Sequence, residues 1–375
     1  MTASLSTPGS SVMGRSAWLE PWLAALPAPS GPLETVQVRG RRALREQPLP
    51  SSRQEDWRFT DLSLLQQLQQ APGAGDAAPA TAALPAPAPG VLRLVLDGHS
   101  DPLAGVSLPE GLEALNPVEI GQGLGPTLAA TGCEQHWPVE LNQLLLAPGP
   151  GAISLVLEAH LARSARLQHA LVALGHPEAA LLGHLAMEQE PESSASLTAV
   201  SAGWGLARLE PRVLQVDGQA VTTLRGLQVV DGRQIADTHS HVRFNGPEGQ
   251  LDQLHKVVAA GQGRSVFNGA VRVPRDAQRT NAAQLSRSLL LSDRARIDTK
   301  PELEIVADDV KCAHGATVSS LQTDELFYLQ SRGIAADQAA QLLQRAFCEE
   351  VLRELPAVAR AWCPLEALQR QDGAA

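Results

Sequence analysis

The residues best suited to chemistry in this chain are a thiol and an imidazole two positions apart, Cys312 and His314. Their segment has the composition of a β-strand, and in a strand residues i and i+2 point to the same face. The segment therefore predicts a sulfur donor beside a nitrogen donor, a pair that iron, zinc and copper favour. Two ligands do not complete a metal site, so we expect the others to come from elsewhere, including from a second chain.

The surroundings of this pair favour a site over plain core, because the strand carries many charges. Gly315 follows directly and predicts a sharp turn of the backbone after His314. A buried structural pair and a nucleophilic Cys–His dyad remain alternatives, although side chains two apart on one strand are poorly placed for proton transfer. The charged neighbours are Glu302, Glu304, Asp308, Asp309 and Lys311.

Other residues of the same types give weaker signals. His239 and His241 share the i, i+2 spacing, and they fit either a metal pair or the solvent face of a strand, which we favour. No glycine-rich phosphate loop ending in Lys-Ser or Lys-Thr is present, so we expect no ATP site. We predict packing or incidental positions for the remaining thiols, which are Cys133 (near His136), Cys348 and Cys363.

Composition narrows the function classes. The net charge is −10 and no basic footprint is present, so we expect no nucleic-acid partner. No apolar run reaches the length of a membrane span, and the first fifteen residues lack the features of a secretory signal. The four cysteines form no Cys-x-x-Cys pair, which predicts reduced thiols and a cytoplasmic location.

The chain divides into four predicted regions. Residues 1–70 have helical periodicity, residues 71–90 form a linker of Ala, Pro and Gly, and residues 321–375 return to helical periodicity. Residues 91–320 contain short β-type pieces, spaced by only seven or eight residues towards the end, which is typical of a solenoid of stacked rungs. Aromatic residues make up only 3% of the chain, which suits aliphatic ladders inside such a stack. We expect Leu251–Ala260 to be a helix that interrupts the stack.

Four segments resemble a known family, the SufB/SufD scaffold proteins of SUF iron–sulfur cluster assembly. They are residues 55–60 (Glu-Asp-Trp-Arg-Phe-Thr), 254–271, 297–318 and 327–334. The similarity is dense over residues 230–355. The stretch 297–318, with Asp-Thr-Lys-Pro and Asp-Val-Lys-Cys-Ala-His-Gly-Ala-Thr, resembles the SufD branch, whereas SufB carries a different sequence there.

The resemblance implies a fold and an assembly. The fold is mainly β, a right-handed parallel β-helix flanked by N- and C-terminal α-helical regions. The β-helix pairs with SufB, and the C-terminal region binds the SufC ATPase, so this chain would be a non-catalytic scaffold subunit. Within that region, Leu343, Phe347 and Val351 form an i, i+4 stripe that we predict to bind SufC.

The resemblance also implies cargo and site residues. A transient iron–sulfur cluster, or iron, would lie at the SufB interface, with His314 as a ligand or iron-positioning residue and Cys312 as its neighbour. A reduced flavin is associated with such complexes, but the sequence identifies no flavin residue.

Two rival functions stay open at this point. One is a SufB-like scaffold that associates with itself and binds a cluster without a paralogue. The other is a β-helix enzyme acting on polysaccharide, which would line a groove with acids and aromatic rings. The scarcity of aromatic residues argues against the enzyme.

Overall fold

The architecture comes from a computed structural model, which describes residues 149–362 continuously. Before them it describes residues 20–25, 28–29, 34–46, 50–67, 107, 112–116, 127–130 and 139–147. The chain divides into two compact units, Met1–Asp61 with Gln70–Gly132, and Leu62–Gln69 with Cys133–Ala375. The predicted linker 71–90, the residues Cys133, His136 and Cys363, and the regional boundaries near 70 and 91 lie outside the described residues.

The first unit contains short elements. Helices α1 (Glu20–Ala25) and α2 (Glu34–Glu46) are followed by a 3-10 turn at Glu55–Trp57. Strands β1 (Leu112–Asn116) and β2 (Thr127–Ala130) pair in an antiparallel hairpin. The short helix α3 (Ser63–Gln67) belongs to the second unit.

The second unit is a parallel β-solenoid, in which successive strands alternate between two facing sheets. All its strand pairs are parallel, and each rung contributes one strand to each sheet. The seven-stranded sheet contains β3 (Val139–Leu146), β5 (Arg166–Leu174), β7 (Ser194–Ala202), β9 (Val221–Val230), β11 (Gln250–Ala259), β13 (Asn281–Leu290) and β15 (Lys311–Ser320). The six-stranded sheet contains β4 (Gly151–Leu161), β6 (Ala179–Gln189), β8 (Leu206–Gln215), β10 (Ile235–Phe244), β12 (Arg264–Val273) and β14 (Arg296–Ile305).

The solenoid interior is built from aliphatic ladders, because residues in register on successive rungs stack on one another. Leu171, Leu181 and Leu209 are among the side chains buried there, and Phe244 is one of the few rings. Fully burying one such side chain contributes about 1.5–3 kcal/mol, so stacked aliphatic rungs need few aromatic residues. The predicted fold, a mainly β parallel helix with α-helices towards the chain ends, is confirmed.

The predicted strand lengths were wrong, because single strands were divided at residues that usually end them. The sequence predicts β-type pieces at residues 296–297 and 303–305, on either side of Pro301, but they are one strand, β14, and proline is tolerated there because β14 is an edge strand. The predicted pieces at residues 310–312 and 317–318, on either side of Gly315, likewise lie on one strand, β15, which begins at Lys311. Gly315 pairs in register with Leu285, so the predicted turn after His314 does not occur.

The helix predicted at Leu251–Ala260 is also wrong, because this segment is strand β11. Leu251 packs into the solenoid interior, whereas Leu254 and Val258 pack outward against the C-terminal helices. A strand buried on both faces loses the alternation of apolar and polar residues and cannot be distinguished from a buried helix by its pattern.

Within the described residues that follow β15 there are three helices: α4 (Thr323–Ser331), α5 (Ala336–Leu352) and α6 (Ala357–Trp362). Helix α5 packs on the outer face of the seven-stranded sheet, where Cys348, Val351 and Leu352 are buried against aliphatic side chains of the strands. None of the described helices has both the length and the hydropathy that a membrane span requires.

A buried ammonium group fixes α5 to the sheet. The side chain of Lys256 on β11 is only 3% exposed, and it forms an ion pair with Glu350. Its Nζ donates a hydrogen bond to the carbonyl oxygen of Phe347 at 2.8 Å and lies 4.1 Å from the centre of the Phe347 ring. The hydrogen bond from Lys256 holds the pKa of Glu350 below its ordinary value.

Candidate metal-ligand site on the last rung

Cys312 and His314 lie on β15, at the end of the seven-stranded sheet. In register, Cys312 pairs with Ala282 and His314 pairs with Gln284, both on β13. No described strand pairs with the other edge of β15, nor with the other edge of β14 in the six-stranded sheet. We call β14 and β15 together the terminal rung, and its outer edges carry backbone N–H and C=O groups open to another chain.

The two candidate ligands share the inward face of β15. Cys312 is partly buried and packs against the aliphatic interior, directly above the buried Ala282. His314, two residues on, lies on the same face but is exposed, because no further rung of the described chain covers it. The predicted pairing of a thiol and an imidazole on one strand face is therefore present, at the open end of the stack.

The environment of Cys312 favours the protonated thiol. Burial raises the pKa of the Cys312 thiol above its ordinary value, and a hydrogen bond with the backbone of Ala282 offsets part of that rise. A buried thiol of this kind is a poor nucleophile without a base or a metal, which argues against the Cys–His dyad.

The terminal rung alone does not complete a metal site. No group of three or more His, Cys, Asp or Glu side chains suited to a metal ion occurs among the residues that the structure describes. Metal sites that hold their ion permanently use four protein ligands or three with an open position. A metal site that contains Cys312 and His314 would therefore need further ligands from outside the described residues.

His239 and His241 lie far from this arrangement in the fold. Both are on β10 of the six-stranded sheet, and they face away from the interior, where Val242 packs. The Nε2 atom of His239 lies 3.0 Å from Oδ1 of the buried Asp237, which is also paired with Arg208. A guanidinium in the same network opposes a metal cation, so the structural interpretation of these histidines is the better one.

The sequence pattern missed a set of polar residues beneath His314. Gln253 and Gln284 point inward on β11 and β13, in register with one another and with His314. The three residues lie roughly 30 positions apart, which matches the length of one turn of the solenoid. That repeat would have been a usable signal if the turn length had been known.

A family comparison agrees with this architecture. The SufBD core domain of the SUF system for FeS cluster assembly matches residues 139–347, from the first strand of the solenoid into α5. The chain belongs to the SufBD family. The matched region contains every strand of the solenoid, including β14 and β15.

Individual SufBD relatives cover the same region. An iron–sulfur cluster assembly SufBD family protein of Synechocystis is 41% identical over 203 residues, 54% of this chain and 45% of that protein. The chloroplastic protein ABCI7 of Arabidopsis thaliana is 42% identical over 202 residues, 54% of this chain and 42% of that protein. The iron–sulfur cluster assembly protein SufD of Escherichia coli is 33% identical over 197 residues, 52% of this chain and 46% of that protein. The match spans under half the length of each relative.

Only part of the predicted partner-binding stripe on α5 of this SufBD protein is accessible in the structure. Val351 is fully buried against the sheet, Phe347 is partly buried beside Lys256, and Leu343 is half-buried. Val351 therefore packs the helix onto the solenoid and cannot contact a partner directly. The exposed apolar side chains of α4 and α5 are instead Phe327 (71% exposed), Tyr328 and Leu342.

Proposed function

We propose that this chain is a SufD-type scaffold subunit that assembles iron–sulfur clusters together with a SufB-type subunit and a SufC-type ATPase. The observation that carries the proposal is the terminal rung, which presents Cys312 and His314 beside an unpaired strand edge. The similarity to the E. coli protein named SufD supports the choice of branch.

An unpaired edge favours a partner because its backbone groups are best satisfied by another strand. The rim of the terminal rung supports this, since Ile305, Val306 and Val318 are large apolar side chains that remain exposed. A partner docked on this rim would bring its own side chains close to His314 and Cys312. The cluster site would then be shared between two chains.

A shared site suits a cluster that must be passed on. Cys312 and His314 supply one sulfur and one nitrogen donor, fewer than the four ligands of resident clusters and structural metal sites. The iron–sulfur cluster is therefore cargo, held while the partner is docked and released when the partner's donors move away.

The C-terminal helices are the proposed contact for the ATPase. Phe327, Tyr328 and Leu342 are exposed apolar side chains on α4 and α5, two helices that contact each other, and we take them as the proposed surface. Exposed aromatic side chains of this kind are frequent anchors of protein interfaces. Leu343 and Phe347 are partly buried and keep their proposed role, whereas Val351 packs α5 onto the sheet.

Three expectations stay predictions: the association with a reduced flavin, which the resemblance implies, and the cytoplasmic location and the lack of ATP binding by this chain, which the sequence pattern implies.

The rival function is a scaffold that associates with itself through the same edge. It stays open because the identity to E. coli SufD is lower than the identities to the Synechocystis and Arabidopsis relatives, whose names do not specify a branch. Solution mass separates the two functions. We expect the chain alone to be monomeric and to form a defined complex with SufB and SufC, whereas a stable homodimer that binds no SufB would contradict the proposal.

A further inference from the structure

A short column of polar side chains, among several buried polar groups in the last rungs of the solenoid, ends at His314. Gln253, Gln284 and His314 occupy the same inward position on three successive strands of the seven-stranded sheet. The neighbouring column, two residues earlier on each strand, consists of Leu251, Ala282 and Cys312, all packed in the aliphatic core. Two buried glutamines in such an interior need a reason beyond packing.

The orientation of the Gln284 amide is fixed by hydrogen bonds. Its Nε2 donates to Oε1 of Gln253 at 3.0 Å, and Nε2 of Gln253 donates to Oγ of Ser240 at 2.7 Å. All three side chains are buried. A Cβ atom built on Gly269 of the facing sheet would lie 2.2 Å from Nε2 of Gln284, so the glycine makes room for this amide.

The amide oxygen of Gln284 takes part in none of these hydrogen bonds. Oε1 is buried and has no hydrogen-bond partner among the residues that the structure describes. The nitrogen is directed at Gln253 on the preceding rung, and the oxygen lies towards the facing sheet, 2.9 Å from the position of a Cβ atom built on Gly269. The next rung is the terminal one, where the side chain in register with Gln284 is His314.

We propose that Gln284 is a positioning residue for His314: a rotation of the exposed His314 side chain brings one ring N–H to the amide oxygen of Gln284, which has no described partner in the present rotamer, and leaves the other ring nitrogen with its lone pair free for iron. Only one nitrogen of a neutral imidazole carries a proton, and the partner of that N–H decides which one it is. Residues with this role beyond the ligands commonly change metal affinity by 10–100-fold. Only the binding of iron by the free ring nitrogen rests on the proposed function, because the tautomer of His314 is defined in the absence of metal.

The test is the ring tautomer of His314 in the metal-free full chain, read from its ring ¹⁵N shifts at a pH that keeps the imidazole neutral. In the unaltered chain we expect one dominant tautomer. In Gln284→Met, which keeps the length and apolar volume of the side chain, we expect the tautomer ratio to fall about tenfold. Gln284→Glu, which retains an acceptor, should restore the dominant form.

The matched control is Ser288→Ala. Ser288 lies on the same inward face of the same strand and also has a buried oxygen without a described partner, but it pairs in register with Val318. This variant should leave the tautomer ratio of His314 unchanged. Equal tautomer ratios in the unaltered chain and in folded Gln284→Met would overturn the inference, as would an equal effect of Ser288→Ala.

Iron titration separates this inference from the proposed function. With the partner subunit present, Gln284→Met should weaken iron binding by at least about tenfold if His314 is a ligand. If the tautomer changes but iron binding does not, the positioning role holds and the ligand role of His314 fails. If His314→Ala weakens iron binding while the tautomer is insensitive to Gln284, the ligand role holds and the positioning role fails.

Discussion

Lys256 and Glu350 join the solenoid to its C-terminal helix by an ion pair in which the lysine is almost fully buried. The two residues are far apart in sequence, and the lysine also donates a hydrogen bond to the backbone of α5. The contact makes α5 part of the solenoid wall, so the proposed ATPase-binding surface is fixed to the same body as the candidate ligands.

The first prediction concerns this contact. Lys256→Met removes the charge, and breaking a buried ion pair typically costs 3–5 kcal/mol. We expect the low end, about 3 kcal/mol, because Glu350 is 34% exposed and keeps Arg287 nearby at 3.5 Å. Urea unfolding measures the loss of stability, and limited proteolysis within α5 should become faster.

Arg353→Met is the control for that experiment, because Arg353 and Glu354 form an exposed pair on the surface. Exposed pairs contribute about 1 kcal/mol or less. An equal effect of the two substitutions would show that Lys256 does not fix the helix.

The second prediction concerns pH, because burial lowers the pKa of His255 to about 3 and of His169 to about 4. The unfolded chain takes up a proton at each histidine below about pH 6.5, while the folded chain does not until those lower values. The unfolded state therefore binds more protons in this window. Stability is fully present above about pH 6.5 and falls with decreasing pH, by about 1.4 kcal/mol per unit for each histidine.

His255→Phe isolates one of the two contributions. The His255 ring stacks on Phe267 with centroids 4.3 Å apart, and a phenyl ring can keep that contact. In urea unfolding between about pH 6.5 and pH 4, the slope should decrease by about 1.4 kcal/mol per unit. A slope equal to that of the unaltered chain would mean that His255 is not neutral and buried.

The third prediction places the ATPase-binding surface on exposed residues. Phe327→Asp should leave the fold intact, since the side chain is 71% exposed, but should weaken binding of SufC by at least about thirtyfold if it anchors the interface. Titration calorimetry measures the affinity. Gln330→Asp on the same exposed helix introduces the same charge and should have little effect, and equal losses in both variants would refute an anchoring role.

Val351→Asp should behave differently from Phe327→Asp. Val351 is fully buried between α5 and the sheet, so a carboxylate there destabilises the domain before any partner is added. Thermal unfolding of the chain alone distinguishes the two classes of variant.

The fourth prediction tests the terminal rung as an interface. Val318→Lys puts a charge on an exposed apolar residue of β15, and charged edges resist strand pairing. We expect loss of the complex with SufB, measured by solution mass, without loss of fold. Val156→Lys, an exposed valine on β4 at the other end of its sheet, should leave the complex intact.

The sequence predicted the repeating β architecture and the shared strand face of Cys312 and His314, because both follow from local spacing. It could not predict the length of β14 or β15, because Pro301 and Gly315 break strands in most settings but are tolerated in an edge strand. The proposed role of Gln284 could not be predicted, because only the register between rungs places Gln284 beside His314.

The C-terminal helices show a second limit. The stripe of Leu343, Phe347 and Val351 correctly indicated an apolar face of α5. The pattern does not say whether that face meets its own sheet or a partner, because both surfaces are apolar. Only the burial of Val351 against β-strands decides that this part of the stripe faces inward.

The most direct test of the account is the cluster content of the complex carrying His314→Ala. Iron and acid-labile sulfide are measured in the purified complex with SufB and SufC, beside Thr317→Ala, an exposed neighbour on the opposite face of β15. We predict that His314→Ala leaves the mass of the complex unchanged and lowers iron and sulfide by at least about tenfold, whereas Thr317→Ala lowers neither. Full iron and sulfide content in an intact His314→Ala complex would contradict the assignment of the terminal rung as a cluster site.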